Sequence, residues 1–422
     1  MDGVELHYPE GTLPLPVREA TVGASGLEIS RLLRDAGYVT LDPGYANTAS
    51  CSSSITFIDG DAGVLRHRGY LIGDLASHAS FLDVAHLLIH EALPTASQGE
   101  EFARSIATRQ SLDKRFDTFF ASFPRDAHPM AILAASVNAL SAFSGEGGAS
   151  VDVDEITLSL LAKIPTFAAR SMRHSLDQPF IEPDPERGYV ENFLRMCFGT
   201  ADGKYQPDPD VVKVLDMLFV LHADHEQNCS TSTVRLVGSS QADLFASVAA
   251  GVNALSGPLH GGANEAVINM LEHIARERLS VQDFIRGIKE NHSGVRLMGF
   301  GHRVYKNYDP RAMLVKEAAR EMLTHAGKSD PLLSLAIELE EAAVADEYFT
   351  DRKLYPNVDF YTGLIYRAMG FPSRMFTPLF TVGRTAGWIA QWREMAADSE
   401  TRIGRPRQIY VGAGERAYDG AS

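Results

Sequence analysis

The amino-acid sequence predicts a mostly α-helical protein with a small β element near its N-terminus. Two patterns carry this expectation. Beyond about residue 73, apolar side chains recur three and four positions apart, the spacing of one helix face, almost to the end of the chain. Before that point, Tyr38–Ile72 reads as β-rich, with Ile55 and Phe57 alternating with polar neighbours. No internal repeat or low-complexity tract interrupts the pattern. A chain of 422 residues exceeds what one hydrophobic core usually serves, so two lobes are expected.

The elements follow in order. Asp59-Gly60-Asp61-Ala62-Gly63 supplies turn chemistry for a hairpin that continues through Val64 and Leu65. The proline-rich Gln178–Arg187 and Tyr205–Asp210 segments read as surface connections. In His222-Ala223-Asp224-His225-Glu226 the spacing puts His222 and His225 on one helical face. Ala249, Ala250, Gly251, Ala254, Ser256 and Gly257 are small residues that end a helix in a loop just before His260. After Gly262, Val267, Met270, Leu271 and Ile274 mark one face of the next helix. Asp330-Pro331 opens another with a cap and a first-turn proline, and its face runs through Leu332, Leu335, Ala336 and Leu339. Asp359 precedes Phe360, Leu364, Ile365 and Ala368, a helix stopped at Gly370. Arg384 sits inside an apolar helical run with Trp388 and Ile389, where a charge needs a partner.

Composition narrows the function classes. Hydrophobic residues at 45% support a packed interior, and a formal charge of −15 argues against nucleic-acid or anionic-membrane partners. Anionic ligands would therefore need a local basic pocket. Three scattered cysteines, Cys51, Cys197 and Cys229, read as reduced intracellular thiols. Asp2, Glu5, Glu10, Glu19 and Glu28 fit neither a secretory nor a mitochondrial leader, and no apolar stretch reaches membrane-spanning length. A cytoplasmic location is expected, in which the sequons Asn228-Cys229-Ser230 and Asn291-His292-Ser293 are chance matches.

Three loop-like motifs carry the chemistry. Gly299-Phe300-Gly301-His302-Arg303-Val304-Tyr305-Lys306-Asn307-Tyr308-Asp309-Pro310-Arg311 sets a histidine between glycines and an arginine after an Asp-Pro turn. An arginine so held grips a carboxylate through two parallel hydrogen bonds. A dinucleotide loop is excluded there, because the third glycine is missing and no strand clearly precedes it. Gly257-Pro258-Leu259-His260-Gly261-Gly262 places a histidine at a helix start, where the positive end disfavours imidazolium and a neutral ring donates to a developing oxyanion. Tyr355-Pro356-Asn357-Val358-Asp359 offers a carboxylate whose usual duty at such a position is a helix N-cap, a duty that would also hold it rigid. Two histidines and an aspartate in such settings suit carbanion chemistry beside a carbonyl.

Together these residues resemble the citrate synthases. The likeness runs from about Tyr38 to Tyr410, with Gly299–Arg311 matching the family signature and Gly257–Gly262, His222–Ser230 and Pro356–Asp359 following in the expected order. The resemblance implies a large and a small helical domain with the active-site cleft between them. The expected division is a β-containing segment at 1–72, a large domain at 73–261 and 371–422, and a small domain at 262–370. It implies that Asp359 removes a methyl proton from acetyl-CoA, His260 hydrogen-bonds the thioester oxygen, and Ser230 orients His260. His302 would polarise the oxaloacetate carbonyl, with His225, Arg311 and Arg384 as oxaloacetate contacts and Asn357 in support. Arg405 would reach a substrate carboxylate from the neighbouring subunit of a homodimer, and the Asp42–Gly73 region resembles members that form homohexamers. For coenzyme A, the resemblance points to Arg296, Leu297, Met298, Gly299 and Gly301, with Lys306 and Lys353 as phosphate contacts. No metal or separate cofactor is implied.

Some hexameric relatives bind NADH at a site whose cysteine would fall near Thr200–Gly203. None stands there, and Ser159 replaces an arginine beside Lys163, which argues against strong NADH control. Three other readings compete. A 2-methylcitrate synthase would use propionyl-CoA, a discrimination of only about 1–3 kcal/mol. A metal-dependent hydrolase would be built on His222, His225 and Glu226, although the spacing is not that of a His-Glu-x-x-His site. A non-catalytic helical binding protein would leave the three arginines and Asp359 without purpose.

Overall fold

The computed structural model describes residues 3–144, 152–290, 296–325 and 330–418. The chain forms two compact units, one of Met1–Ser52 with Arg402–Ser422 and one of Ser53–Thr401. The sequon at residues 291–293 lies outside the described residues.

In the terminal unit, Val4–Tyr8 and Gly11–Leu15 pair as an antiparallel hairpin, Leu6 opposite Leu13. Leu13, Leu15 and Leu32 make its small core. These strands precede the segment expected to be β-rich, and Tyr38–Ile55 contains no strand. The N-terminal hairpin buries only Leu13 and Leu15, so its sequence lacks a clear alternating stripe. Among the described residues, 402–418 form no helix or strand.

The second unit opens on the expected hairpin. Thr56–Asp59 pairs with Val64–His67, which pairs in turn with Tyr70–Leu71. Asp59 Oδ1 accepts from the amides of Asp61 and Ala62, the side-chain-to-backbone turn that aspartate favours. Among the described residues of this unit, every regular element after these strands is a helix. The Phe376–Ala397 helix is buried on almost every side from Phe376 to Gln391, which marks it as the central rod. Around it pack Phe81–His90, Val153–Ser175, Pro209–His222, Cys229–Gly238 and Leu244–Leu255. Gly387 lets the rod touch the end of Pro209–His222: its amide donates to Ala223 O at 3.0 Å, and a Cβ there would lie 2.2 Å from that oxygen.

A second group of helices packs mainly on itself: Ala263–Arg276, Val281–Lys289, Pro310–His325, Pro331–Val344 and Asp359–Ala368. The expected faces are buried, with Val267, Met270, Leu271 and Ile274 on one helix and Leu332, Ala336 and Leu339 on another, where Leu335 is only half-buried. Asp330 caps its helix by accepting from the Leu332 amide at 2.9 Å. Among the described residues, no helix is long and apolar enough to cross a membrane.

Candidate active site

Backbone hydrogen bonds sew the His302 loop to the segment before Asp359. Asn357 N donates to Gly299 O at 2.9 Å, Gly301 N to Tyr355 O at 2.8 Å, and Asn357 Nδ2 to Gly301 O at 2.9 Å. Gly299 and Gly301 both take φ 77°, and a Cβ would lie 2.7 Å from Val267 Cγ2 or Leu354 Cδ2 respectively. The expected need for glycine is thus met by both backbone angle and space.

This seam aligns the polar groups. His302 Nδ1 accepts from the amides of Val304 and Tyr305 at 3.0 and 3.3 Å, so Nε2 carries the ring proton. Burial first, then the Arg311 charge, lowers the His302 pKa to about 4 and keeps the ring neutral. His225 lies beside it, ring centroids 5.2 Å apart, and its Nε2 meets the Tyr305 hydroxyl at 3.1 Å. Burial, then Arg311 and His302, pushes His225 well below its ordinary value.

Arg311 is held by a buried fork. Its Nε and Nη2 donate to the two oxygens of Asp309 at 2.9 and 2.8 Å. The Val358 amide donates to the same carboxylate at 3.2 Å, which ties this pair to the neighbourhood of Asp359.

Asp359 departs from its expected capping role. It is the first residue of Asp359–Ala368, the N-cap is Val358, and no side chain caps the helix. Asn357 Oδ1 accepts from the Asp359 amide at 3.0 Å instead, so the Asp359 carboxyl is spared that duty. Burial raises its pKa to about 6 against the pull of Arg311 and Arg384, with Asp309 adding to the rise.

His260 hangs on the start of Cys229–Gly238. The Ser230 amide donates to His260 Nε2 at 3.3 Å and Ser230 Oγ lies 2.8 Å from the same atom. Nε2 is therefore an acceptor and Nδ1 carries the proton. Trp388 Nε1 donates to Ser230 Oγ at 3.2 Å, anchoring the pair to the central rod. Burial, then Arg384, lowers His260 to about 4. Arg384 itself donates Nε to His222 O at 2.7 Å and lies over the Phe380 ring. Burial lowers it to about 10, with Asp224 opposing.

Arg384 perturbs His222, His225, His260 and Asp359, and Arg311 perturbs His225, His302 and Asp359. The three loops thus meet in one electrostatic neighbourhood. Two neutral imidazoles with N–H donors, a carboxyl poised near neutrality and two buried guanidinium groups form a set able to take a proton from carbon while stabilising the oxygen that gains charge.

Other expectations are corrected. The Pro209–His222 helix stops at His222, Ala223 is its C-cap, and His225 lies beyond it, so the two histidines do not share a helical face. His222 is fully buried, with Nδ1 2.7 Å from Leu218 O. Among the described residues, no group of three or more His, Cys, Asp or Glu is arranged to hold a metal. Asn228 Oδ1 caps its helix and Nδ2 donates to His225 O, so this sequon asparagine serves the fold.

Arg405 belongs to the terminal unit, where it is exposed. Arg296, Lys306 and Lys353 are also exposed, while Leu297 and Met298 are half-buried, the Met298 amide donating to Met270 Sδ. Tyr305, Asp309 and Asp224 were not singled out from sequence. Asp309 and Tyr305 stood inside the key motif, but a turn residue and an aromatic carry no signal of their own there. Elsewhere, a cavity of about 200 Å³ lined by Phe180, Glu182, Arg195, Thr200 and Tyr205 involves none of these groups. Lys163 donates to Ser159 Oγ, and Cys197 is buried with its thiol pKa pushed up by that burial.

The family model described as "Citrate synthase, C-terminal domain" matches residues 44–407. Citrate synthase 1 of Mycobacterium tuberculosis is 56% identical over 420 residues, covering 99% of this chain and 97% of that protein. Citrate synthase of Corynebacterium glutamicum is 54% identical over 411 residues, covering 96% and 94%. Among solved structures, a ternary complex of Thermoplasma acidophilum citrate synthase with carboxymethyl coenzyme A and oxaloacetate superposes with TM-score 0.82, at 28% identity over 90% of this chain and 98% of that one. Citrate synthase from Pyrobaculum aerophilum gives TM-score 0.78 at 34% identity, over 99% and 97%.

Proposed function

Since the chain belongs to the citrate synthase family, joining acetyl-CoA to oxaloacetate and hydrolysing citryl-CoA, we propose how its own residues divide that reaction. Asp359 is the general base that removes the methyl proton. A carboxylate alone contributes about 10²–10⁴-fold against so weak a carbon acid, so the oxygen of the nascent enolate must be stabilised at the same moment. His260 Nδ1–H does this, a donor of the kind worth about 10²–10³-fold. His302 Nε2–H polarises the ketone of oxaloacetate and protonates the new alkoxide. His225, Arg311 and Arg384 bind the keto acid's carboxylates. Water must be kept out during condensation and admitted for hydrolysis, which calls for closure and reopening.

One observation carries this reading: the Asp359 carboxyl, free of capping duty, lies in the field of both Arg311 and Arg384, and each of these arginines also acts on one of the two imidazoles whose tautomers are set, Arg384 on His260 and Arg311 on His302. Supporting a hinged division, helices within 262–370 pack largely on one another, and that segment is the proposed small domain. The large domain takes 73–261 and 371–422, behind an N-terminal β-containing segment at 1–72. Arg405 completes the site of a second copy in a homodimer. That role is supported by its exposure and by the exposed Ile403, Ile409, Tyr410 and Val411 around it, apolar surface that asks for cover. Arg296, Leu297, Met298, Gly299, Gly301, Lys306 and Lys353 are the proposed coenzyme A contacts. A cytoplasmic location suits the three free cysteines.

The test is thiol release with oxaloacetate, offered acetyl-CoA and propionyl-CoA in parallel. Acetyl-CoA should turn over faster; equal or faster use of propionyl-CoA would overturn the assignment. Asp359→Ala should abolish turnover in a folded protein, and retained turnover would remove Asp359 from the role of base.

A further inference from the structure

The two keto-acid histidines share one neighbour. The Tyr305 amide donates to His302 Nδ1 at 3.3 Å, and the Tyr305 hydroxyl lies 3.1 Å from His225 Nε2. Tyr305 is 1% exposed and its ring packs against both imidazoles, with centroids 4.7 Å from His302 and 5.6 Å from His225. We infer that Tyr305 is a positioning residue that sets the tautomers of both histidines, its backbone acting on His302 and its hydroxyl on His225.

The direction of the hydroxyl bond follows from counting donors. Were His225 Nε2 to donate, the phenol proton would have no acceptor among the described residues, and a buried orphan donor is costly. With the phenol donating, the unpartnered donor is instead His225 Nδ1–H, and that nitrogen is not among the buried polar atoms left without a partner, so it keeps access to a ligand. Burial raises the phenol pKa, which keeps the proton on its oxygen. His225 then carries its own proton on Nδ1, which has no hydrogen-bond partner among the described residues. An N–H there suits a carboxylate or carbonyl oxygen; the other tautomer would present a lone pair and repel it. His260 follows the same rule, with the Ser230 amide holding Nε2 as an acceptor. In each of the three rings one nitrogen is committed to the scaffold, so the substrate meets the other.

This inference rests on the proposed role of His225, and its test separates the two. The ¹⁵N spectrum of histidine-labelled protein without substrate should show His225 as the Nδ1–H tautomer; an Nε2–H resonance overturns the inference whether or not the enzyme turns over. Tyr305→Phe keeps the ring contacts and the backbone arm. It should move the His225 nitrogens toward mixed tautomers and leave His302 unchanged. It should also raise KM for oxaloacetate about tenfold, the loss of one hydrogen bond, with KM for acetyl-CoA within about twofold. An unchanged His225 spectrum, or equal losses for both substrates, overturns it. Absence of thiol release in the unaltered protein would instead refute the proposed function and leave the tautomer result standing.

Discussion

Arg311 and Arg384 are both buried and act on the same groups, His222, His225 and Asp359, yet they are held in opposite ways. Burial would lower the Arg311 pKa, but the charge and hydrogen bonds of Asp309 raise it. Asp309 is likewise pulled below its ordinary value by Arg311, although burial opposes this. For Arg384 burial wins: its pKa falls, and that of Asp224 rises, despite their mutual attraction. The difference is geometry. Arg311 has a two-pronged partner two residues away, whereas Arg384 spends Nε on a backbone carbonyl and its terminal nitrogens make no hydrogen bond to the described residues. A paired buried charge is a strut. One left unpaired is a socket, costly when empty and strengthened by an anion that fills it.

The comparison can be broken in several ways, taken from the largest effect down. Asp309→Asn removes the strut and strands Arg311 as a buried lone charge, so urea unfolding should show a loss of about 3–5 kcal/mol. A change below about 1 kcal/mol would mean that the pair is not structural. Arg384→Leu should lower kcat/KM for oxaloacetate by roughly 10²–10³-fold, the cost of deleting a desolvated charge contact. A matching collapse of thermal stability would show that Arg384 is a strut as well. Asp224→Asn should shift stability by only about 1 kcal/mol, since its ionised form is already disfavoured.

Acidity sharpens the contrast further. Turnover should fall as pH drops through about 6, where Asp359 takes up a proton, with no second acidic limb near 6.5 because His260 and His302 stay neutral to about 4. A pH–rate profile with a histidine limb would contradict this. The same depressed histidines, with His67 and His222 at about 3, link folding to pH. The unfolded chain binds protons at 6.5 that the folded chain refuses. Their contribution to stability is therefore complete above about pH 6.5 and is lost as pH falls toward 4 and below. Thermal midpoints measured across that window should decline, and each His→Asn change at His67 or His222 should flatten the decline.

The helices were legible wherever one face alone is buried: Val267, Met270, Leu271 and Ile274 announce their face by spacing, and Asp330-Pro331 announces a start. The Asp59–Gly63 turn was legible because its hydrogen bonds are local. The terminal hairpin was not, since two buried leucines make too weak a stripe. Of the site, the histidines, arginines and Asp359 stood out through their motifs. The break in the helix at His222 did not, because the Ala223 carbonyl there bonds the Gly387 amide from far along the chain, a contact that no local pattern records.

Residue types and local order alone settled which groups exist: a histidine between glycines, an Asp-Pro-Arg turn, a carboxylate opening a helix. Tertiary packing decided what each group is free to do. Asn357 relieves Asp359 of its cap, Ser230 and the Val304 and Tyr305 amides choose which imidazole nitrogen keeps its proton, and distance from a carboxylate makes one arginine a strut and the other a socket. The reason is that proton affinity and charge depend on burial and on partners far along the chain, and no local pattern records either.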